Sequence, residues 1–292
     1  MLEKIIYILG VAFLFYAGYY LITSIGIFKK RKKVTNNNDD KKNFFAVIIA
    51  ARNEENVIGK LIDSLKKQSY PSEYFDIYVI VNNCTDNTAI EAKKAGAKVI
   101  SCTEKVSTKG EVLKYTFDLF KDNNKIDAYA IFDADNIVHH DFLAKMNDMI
   151  NSGYSVAQGF RDTKNISDNW LTSSYAILYY FQSLFLNESR YNMGRSSFLN
   201  GTGFVIKKEV IDKHGFNPKT VTEDVEFTAM CAINNEKIGF ATDAITYDEQ
   251  TNSFDVSWKQ RKRWSFGTME CLREYFPTLL KKGIKERNFE CF

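Results

Sequence analysis

Two carboxylates stand one residue apart at the end of a short apolar run. Residues 128–132 are apolar and lead directly into Asp133-Ala-Asp135. Such a run is typical of a buried strand in a parallel sheet, and these sheets bind ligands beyond the carboxyl ends of their strands. Two acids so close repel each other unless a cation lies between them, and Mg²⁺ or Mn²⁺ on a diphosphate meets that need. The alternative is a strand followed by an ordinary polar turn, because Asp-x-Asp alone is common.

The composition indicates a globular protein with reduced thiols. Of 292 residues, 45% are hydrophobic and 26% are charged, which suits one large or two modest folded domains. The net charge of +3 is too small to indicate a nucleic-acid partner. The five cysteines are odd in number and form no Cys-x-x-Cys pair, which favours reduced cytosolic thiols over a disulfide frame or a zinc site. His139 and His140 are adjacent, so we expect their side chains to diverge rather than share a metal ion.

An N-terminal apolar segment predicts a membrane span. Ile5 to Phe28 is a run of 24 residues without a charge, and at about 1.5 Å per residue it crosses a hydrocarbon core of roughly 30 Å. It is too long for a signal peptide. The basic run at residues 29–33 follows directly, and positive charge beside a span stays cytoplasmic. We predict one span with its basic flank at residues 1–33, a polar linker at 34–43, and a cytoplasmic remainder of the chain held at the cell membrane.

Strands and helices alternate through the first half of the cytoplasmic part. The sequence predicts strands at residues 44–50, 75–81, 98–101 and 128–133, separated by helices at residues 56–68, 86–95 and 108–121. Asp86 is placed to cap the second helix, and Gly96 ends it. This order predicts a mostly parallel, doubly wound α/β sheet. Neither Gly-x-Gly-x-x-Gly nor a P-loop occurs, so a nucleotide would be bound in another manner.

The second half of the chain is less regular. We predict helices at residues 141–152 and 225–234, strands at 155–160, 237–241 and 244–247, and a last helix opening at Ser257. Asn200-Gly-Thr-Gly203 is rich in small residues, which allow a close approach of backbone to ligand. Residues 170–186 have no charge and six aromatic side chains, which indicates a helix lying against membrane or substrate. A second crossing there would separate Asp135 from Glu223 and Asp224 across the bilayer, so we reject it.

Six short motifs occur in an order that resembles one enzyme family. They are Ala51-Arg-Asn-Glu54, Asn82 to Asp86, Lys109-Gly110, Asp133-x-Asp135, Thr222-Glu-Asp224 and Gln260-x-x-Arg-Trp264. The order resembles the inverting family 2 glycosyltransferases with a GT-A fold. It is most similar to their membrane-bound branch, the hyaluronan, cellulose, chitin and poly-N-acetylglucosamine synthases and the ceramide glucosyltransferases. The resemblance covers about residues 44–275 and implies a GT-A catalytic domain at 44–256, followed at 257–292 by an amphipathic interface helix and a tail.

The resemblance implies a UDP-sugar as donor, with UDP-N-acetylglucosamine or UDP-glucose expected. Glu54 and Asn82 would contact uracil and ribose, with Ala51 and Arg52 in the same wall. The family usually has an acid at position 82, and an Asn carbonyl can accept from uracil N3–H in its place. Residues 158–161 stand at a strand end and are expected to line the donor pocket.

The resemblance also assigns the groups around the diphosphate. Lys109 and Arg263 would face its oxygens, where hydrogen-bond donors and positive charge offset the charge of the leaving group. Asp135, helped by Asp133, would hold Mg²⁺ or Mn²⁺, which acts as a Lewis acid on the leaving diphosphate. Asp133 therefore belongs to the catalytic set, the nucleotide site and the metal site.

On the acceptor side, the resemblance implies that Asp224 is the general base, with Glu223 beside it. An inverting transfer needs a carboxylate to take the proton of the attacking hydroxyl. The alternative for Thr222-Glu-Asp is a helix N-cap with acids in the first turn, which is a very common pattern. Both interpretations hold together if Thr222 caps the helix.

The last motif is expected to bind the acceptor. Gln260, Arg263 and Trp264 share one helical face at spacing i, i+3, i+4. Trp264 offers a flat apolar surface for a sugar ring, and Gln260 can hydrogen-bond its hydroxyls. The alternative is a basic amphipathic helix on anionic lipid, supported by the basic residues within 259–262. We expect both uses of this helix.

Two other classes of protein were weighed against a transferase with a glycan or lipid acceptor. A catalytically inactive nucleotide-sugar-binding subunit of a polysaccharide synthase complex would have lost carboxylates, whereas Asp133, Asp135 and Asp224 are present. A nucleotidyltransferase would carry a Gly-rich basic loop after the first strand, which residues 50–55 do not resemble. Other subunits of an export complex remain expected partners. Residues 270–292 are charged and contain no span of about 20 apolar residues, so we expect this chain alone not to translocate a polysaccharide.

Overall fold

The computed structural model describes residues 2–31, 34 and 41–291. Residues 35–40 of the predicted linker lie outside the described residues, as do Lys32 and Lys33 of the basic run. The N-terminal helix α1 (Leu2–Ser24) continues into a short 3-10 helix at Ile25–Phe28. Among the described residues, Leu9–Phe28 is the one segment whose length and composition would allow it to cross a membrane.

Within the described residues, eight strands form one mixed sheet. They are β1 (Phe45–Ala51), β2 (Phe75–Val81), β3 (Lys98–Ser101), β4 (Ala128–Asp133), β5 (Ile137–Val138), β6 (Val156–Thr163), β7 (Phe204–Lys207) and β8 (Ile238–Asp248). The order in the sheet is β3-β2-β1-β4-β7-β6-β8-β5. Strands β1 to β4 form the predicted parallel half, β7 runs antiparallel to its neighbours β4 and β6, and β8 is parallel to β6. The mostly parallel α/β sheet is therefore confirmed.

Helices cover both faces of this sheet. They are α2 (Ile58–Lys66), α3 (Thr88–Lys94), α4 (Lys109–Leu119), α5 (Phe142–Asn151), α6 (Trp170–Phe181), α7 (Ser189–Asn192), α8 (Lys208–His214), α9 (Glu223–Ile233) and α10 (Phe254–Lys285). Successive residues of β1 face opposite sides, as the pleat of a strand requires. Val47 and Ile49 join the apolar cluster under α2 and α5, whereas Ala46 and Ile48 join the cluster under α4 and α9.

Predicted element boundaries differ from the observed ones at several places, two of them in the last third of the chain. The two predicted strands at 237–241 and 244–247 are one strand, β8, which bulges against β6 between Ala241 and Ile245. Residues 198–203, which include Asn200-Gly-Thr-Gly203, form a loop that leads into β7. Helix α10 begins at Phe254, because the Ser253 hydroxyl accepts a hydrogen bond from the Val256 N–H at 3.5 Å. The predicted boundary at residue 257 therefore falls inside a helix.

The aromatic segment after residue 169 is one long helix with a π-helical middle. Helix α6 continues through a π-helical stretch at Gln182–Glu188 into α7. It begins where the Asn169 side chain accepts hydrogen bonds from the backbone N–H groups of Leu171 and Thr172, at 2.9 and 3.0 Å. One face of α6 is buried and carries Tyr175 and Tyr179, and the opposite face is exposed and apolar.

The expectation that the side chains of His139 and His140 diverge was wrong, whereas the expectation that they share no metal ion stays a prediction. The rings of His139 and His140 lie 4.5 Å apart between centroids, because the chain turns there before α5 instead of continuing as a strand. With Asp141, their potential ligand atoms lie within 4.8 Å of one another.

Candidate active site

Two turns at the carboxyl ends of β1 and β2 are joined to form one wall of the site. Asn53 and Asn83 adopt left-handed backbone conformations, with φ of 59° and 51°, which Asn tolerates better than most residues. The Asn53 Oδ1 accepts from the Thr85 N–H at 2.8 Å, and the Asp86 Oδ2 accepts from the Glu55 N–H at 3.1 Å. The predicted capping role of Asp86 also holds, because its Oδ1 accepts from the first N–H of α3 at 3.0 Å.

Asn82 presents an unused acceptor in this wall. Its backbone N–H donates to the Ala51 carbonyl at 3.1 Å, and its Nδ2 donates to the Val106 carbonyl at 3.4 Å. Its Oδ1 is buried and has no hydrogen-bond partner among the described residues. Ala51 is buried at the strand end and Arg52 is exposed. An orphaned buried acceptor marks a place where a ligand N–H would be stabilised.

Acidic side chains gather where β1, β4 and β8 end. Burial and the negative charges of Asp248, Asp133 and Glu54 raise the pKa of Asp135 to about 8, against the opposing charge of Lys164. Burial and the charge of Asp133 likewise raise the pKa of Glu54. These carboxylates supply hard oxygen ligands in a region of excess negative charge, so Asp133 and Asp135 fit a divalent cation such as Mg²⁺ or Mn²⁺.

Lys109 lies between acids of two motifs, Asp133 of Asp133-x-Asp135 and Glu223 of Thr222-Glu-Asp224. It is the first residue of α4, which begins with a capping box formed by Thr108 and Glu111. Its Nζ forms an ion pair with Asp133, donates to the Gly201 carbonyl at 2.6 Å, and lies 4.0 Å from Glu223 Oε1. Burial opposes its charge, but attraction by these carboxylates outweighs burial and raises the pKa of Lys109. One partly buried cation therefore connects acids from two motifs.

Glu223 and Asp224 open helix α9 beside that cation. Burial raises the pKa of Glu223 to about 7, against the charge of Lys109, and burial also raises the pKa of Asp224. A Cβ built on Gly201 would lie 3.3 Å from Asp224 Oδ2, so the loop backbone passes directly over this carboxylate. Thr222 occupies the predicted N-cap position of α9, but its side chain makes no capping hydrogen bond. Its hydroxyl is buried without a hydrogen-bond partner among the described residues, and α10 packs against it.

Gln158 does not line a donor pocket, contrary to the sequence-based expectation. It is fully buried, and its Nε2 donates to the carbonyls of Thr202 and Gly203 at 2.9 and 3.1 Å. Its Oε1 accepts from the Asn200 N–H at 3.1 Å. Gln158 therefore holds the loop at residues 200–203 in place. The Asn200 side-chain amide is buried, and neither its oxygen nor its nitrogen has a partner among the described residues.

A buried polar network that sequence reasoning missed supports the same loop. Arg161 donates to Asp248 Oδ2 at 2.9 Å and to the Asn200 carbonyl at 2.8 Å. Asn136 donates to Asp248 Oδ1 at 3.1 Å and accepts from the Asp133 N–H at 3.1 Å. Their positions in the sequence could have indicated these residues, because Asn136 directly follows Asp-x-Asp and Asp248 ends a strand.

The residues of the last motif, which lies on helix α10, differ in how far they are buried. Trp264 is half-buried and packs on α6, with its ring 6.4 Å from that of Tyr175. Arg261 lies over the Tyr175 ring at 4.7 Å and donates to its hydroxyl at 3.2 Å. Gln260 is half-buried, whereas Arg263 is exposed and forms no ion pair with the described residues. Trp264 and Gln260 therefore face inward more than Arg263 does.

Sequence comparison identifies related proteins. Residues 42–267 match the family described as "Glycosyltransferase like family 2". The chain is 24% identical over 262 residues to the probable glycosyltransferase YdaM of Bacillus subtilis (strain 168), which covers 82% of this chain and 59% of that protein. It is 25% identical over 241 residues to the beta-monoglucosyldiacylglycerol synthase of Synechocystis sp., which covers 77% of this chain and 48% of that protein. The chain thus spans about half to three fifths of the length of these relatives.

Solved structures share the fold. The mannosyltransferase PcManGT from Pyrobaculum calidifontis, in complex with GDP-Man and Mn²⁺, superimposes with a TM-score of 0.67 at 15% identity, covering 87% of this chain and 71% of that one. Residues 1–349 of TarS from S. aureus, in complex with UDP-GlcNAc, superimpose with a TM-score of 0.55 at 17% identity, covering 73% of this chain and 60% of that one. The predicted GT-A-like fold is confirmed.

Proposed function

The chain belongs to glycosyltransferase family 2, and on that premise we propose that it moves a sugar from a UDP-sugar to a glycan or lipid acceptor with inversion. UDP-N-acetylglucosamine and UDP-glucose are the donors we expect. The carrying observation is the position of Lys109, whose Nζ pairs with Asp133 of the donor-side motif and lies 4.0 Å from Glu223 of the acceptor-side motif. The acids proposed to hold the metal on the leaving diphosphate and the acids proposed to act on the acceptor therefore lie on either side of Lys109.

The nucleotide is proposed to bind against the wall formed by the first two turns. The orphaned Oδ1 of Asn82 is an acceptor for uracil N3–H. Glu54 is half-buried in the adjoining turn, where its carboxylate is available for ribose hydroxyls. The hydrogen bonds between the two turns keep this wall rigid, which reduces the entropy lost when the nucleotide binds.

At the diphosphate, Asp135 and Asp133 would hold Mg²⁺ or Mn²⁺. When bound there, the cation offsets the negative charge that develops on the departing UDP. The structural relative from Pyrobaculum calidifontis was solved with GDP-Man and Mn²⁺, which supports a divalent cation for this site. Lys109 is proposed to add positive charge from the buried side, and Arg263 would need to approach from α10.

The transfer itself is proposed to use Asp224 as general base. The acceptor oxygen attacks C1 of the donor sugar, its proton passes to the Asp224 carboxylate, and the bond from C1 to the diphosphate oxygen breaks, which inverts C1 and releases UDP. Burial raises the pKa of Asp224, which strengthens it as a base. The unpartnered amide of Asn200 can both donate to and accept from a sugar hydroxyl beside this carboxylate.

The acceptor is proposed to approach between α6 and α10 at the membrane surface. Trp264 and Gln260 are half-buried along this approach, and the outer faces of both helices expose large apolar side chains. The Synechocystis relative is named as a lipid glucosyltransferase, which supports a lipid acceptor. Anchoring by α1 would hold the catalytic domain on the cytoplasmic side of the cell membrane.

The proposal is tested by supplying a panel of nucleotide sugars to membranes that contain the full chain and measuring nucleotide release. We expect release of UDP from UDP-N-acetylglucosamine or UDP-glucose, accompanied by a glycosylated lipid or glycan. UDP-sugar binding without turnover across the panel would instead favour an inactive subunit of a synthase complex.

A further inference from the structure

The helix that runs from α6 through its π-helical stretch into α7 touches two distant parts of the molecule. On one side, residues 188–193 contact the C-terminal end of the N-terminal helix. On the other side, Asn187 contacts the chain just before the loop at residues 200–203. Residues 182–192, here called the connecting segment, therefore lie between the predicted membrane anchor and the candidate active site.

The anchor contact depends on close backbone packing and an ion pair. A Cβ added to Gly26 would lie 2.6 Å from Ser189 Oγ and 2.8 Å from Met193 Cγ, so only glycine fits there. The Ser189 hydroxyl also donates to a backbone carbonyl near the end of α1. Just beyond the helix, Arg31 Nε donates to the Glu188 carboxylate at 2.8 Å. Glu188 is buried, so this contact stabilises a charge that would otherwise be poorly solvated.

The contact toward the active site is made by one fully buried amide. Asn187 Oδ1 accepts from the Phe198 N–H at 2.9 Å, and its Nδ2 donates to the Phe198 carbonyl at 3.2 Å. Its own carbonyl accepts from the Ser197 hydroxyl at 3.1 Å. Both backbone groups of Phe198 are thus held by a single side chain, two residues before Asn200.

We propose that the connecting segment holds the loop at residues 200–203 in its observed position only when the N-terminal helix is docked on residues 188–193. Asn187 is the positioning residue in this proposal. The π-helical hydrogen-bond pattern is the physical basis. A shift of one residue toward an α-helical pattern rotates the following residues by about 100°, which would turn Asn187 away from Phe198. Docking of Gly26 and Arg31 on residues 188–193 favours the observed arrangement. The effect on transfer rests on the proposed function, whereas the effect on the loop does not.

The test compares Gly26→Leu with Gly18→Leu in the full chain reconstituted in lipid nanodiscs. Both changes lie on the N-terminal helix, but a Cβ at Gly18 has nothing within 4 Å, so it is a matched control. Amide hydrogen exchange of residues 197–203 is the first measurement. We expect exchange there to accelerate roughly tenfold or more in Gly26→Leu, as loss of the Asn187 hydrogen bonds implies, and to stay unchanged in Gly18→Leu. Equal exchange in both variants would overturn the proposal.

Two further variants keep the test decisive. Arg31→Ala removes the partner of buried Glu188 without introducing a steric clash, and we expect exchange of residues 197–203 to change in the same direction but by less than in Gly26→Leu. Asn187→Leu should loosen the loop by itself, and adding Gly26→Leu to it should change exchange no further if docking acts through Asn187. Additive effects would show that docking affects the loop through other residues and would refute the assignment of Asn187.

In a preparation with transferase activity, we expect kcat of Gly26→Leu to fall with the KM for the donor unchanged. Because exchange needs no turnover, a chain without transferase activity would contradict the proposed function and leave this test intact.

Discussion

At the residue scale, the candidate site contains more buried negative charge than positive charge. Lys109 is surrounded by Asp133, Glu223 and Asp224. Burial raises the pKa of Glu223 to about 7 and raises that of Asp224. A carboxylate whose pKa is shifted toward the working pH is a more effective proton acceptor than one in water. The environment supplied by the fold therefore raises the basicity of both carboxylates, as the proposed role of Asp224 requires.

Replacing Asp224 tests its role directly. Asp224→Asn keeps the shape of the side chain but removes its basicity, so we expect transfer to fall by roughly 10²-fold or more while UDP-sugar binding is retained. Asp118→Asn, an exposed acid on α4, serves as the control and should leave both unchanged. Near-normal turnover of Asp224→Asn, or loss of UDP binding, would show that the role is misassigned.

Metal dependence is expected to vary with pH through Asp135. Its pKa of about 8 means that the metal-free side chain is protonated below that pH, whereas a metal ligand must be the carboxylate. We expect Mn²⁺ to bind more tightly as pH rises from 6.5 to 8, with release of about one proton at the lower pH and little release at pH 9. Titration calorimetry in two buffers of different ionisation enthalpy measures this release.

Removal of the metal gives the corresponding activity measurement. We expect turnover to cease in excess EDTA and to return with added Mg²⁺ or Mn²⁺. Full turnover in EDTA, or Mn²⁺ affinity that does not change between pH 6.5 and 9, would contradict the assignment of Asp135.

At the scale of elements, α10 sets the position of the acid-bearing turn. A Cβ on Gly267 would lie 2.7 Å from Thr222 Oγ1 and 2.8 Å from Val221 Cγ2, so the helix reaches this turn only because position 267 lacks a side chain. This contact buries the Thr222 hydroxyl, which directly precedes Glu223. The helix that carries the last motif and the candidate catalytic acids are therefore neighbours through backbone packing.

Gly267→Leu should displace α10 from that turn. Leucine favours a helix, so we expect the helix to persist while transfer falls by on the order of 10²-fold, the scale of small misplacements of catalytic groups. Thr268→Leu adds the same side chain at the adjacent exposed position and should retain activity. Equal activities of the two variants, measured with circular dichroism as a check of helix content, would refute the role of this contact.

At the scale of the whole molecule, the protein has a second exposed apolar surface in addition to the N-terminal helix. Trp170, Phe254 and Trp258 are 67%, 59% and 63% exposed, and their neighbouring ring centroids lie 6.5 and 6.4 Å apart. Exposed aromatic side chains beside basic residues are typical of contact with the membrane interface.

Residues 34–292 alone are therefore expected to bind anionic vesicles. Changing all three aromatic residues to alanine should reduce that binding by roughly tenfold or more, because each large side chain contributes apolar area. The control Ile90→Ala alters an exposed residue of α3 and should bind like the parent protein. A soluble monomer without affinity for anionic vesicles in a flotation assay would contradict the prediction.

The sequence by itself determined the parallel half of the sheet, most helices and the identity of the candidate catalytic acids. Apolar periodicity, capping residues and turn residues act over a few positions, so a local pattern predicts β1 to β4 and the helices between them. The motifs in order also indicated the family, because Asp133, Asp135 and Asp224 belong to short, recognisable strings.

The tertiary structure alone decided how those residues are connected. Gln158 holds a loop more than 40 residues away in sequence, and Arg161 pairs with Asp248 across 87 positions. The sharing of Lys109 between two acid motifs likewise joins residues from separate elements. No local pattern encodes such partners, since they depend on strand order and on the packing of α10 against α9. Buried polar groups require partners, but only the folded chain determines which groups meet.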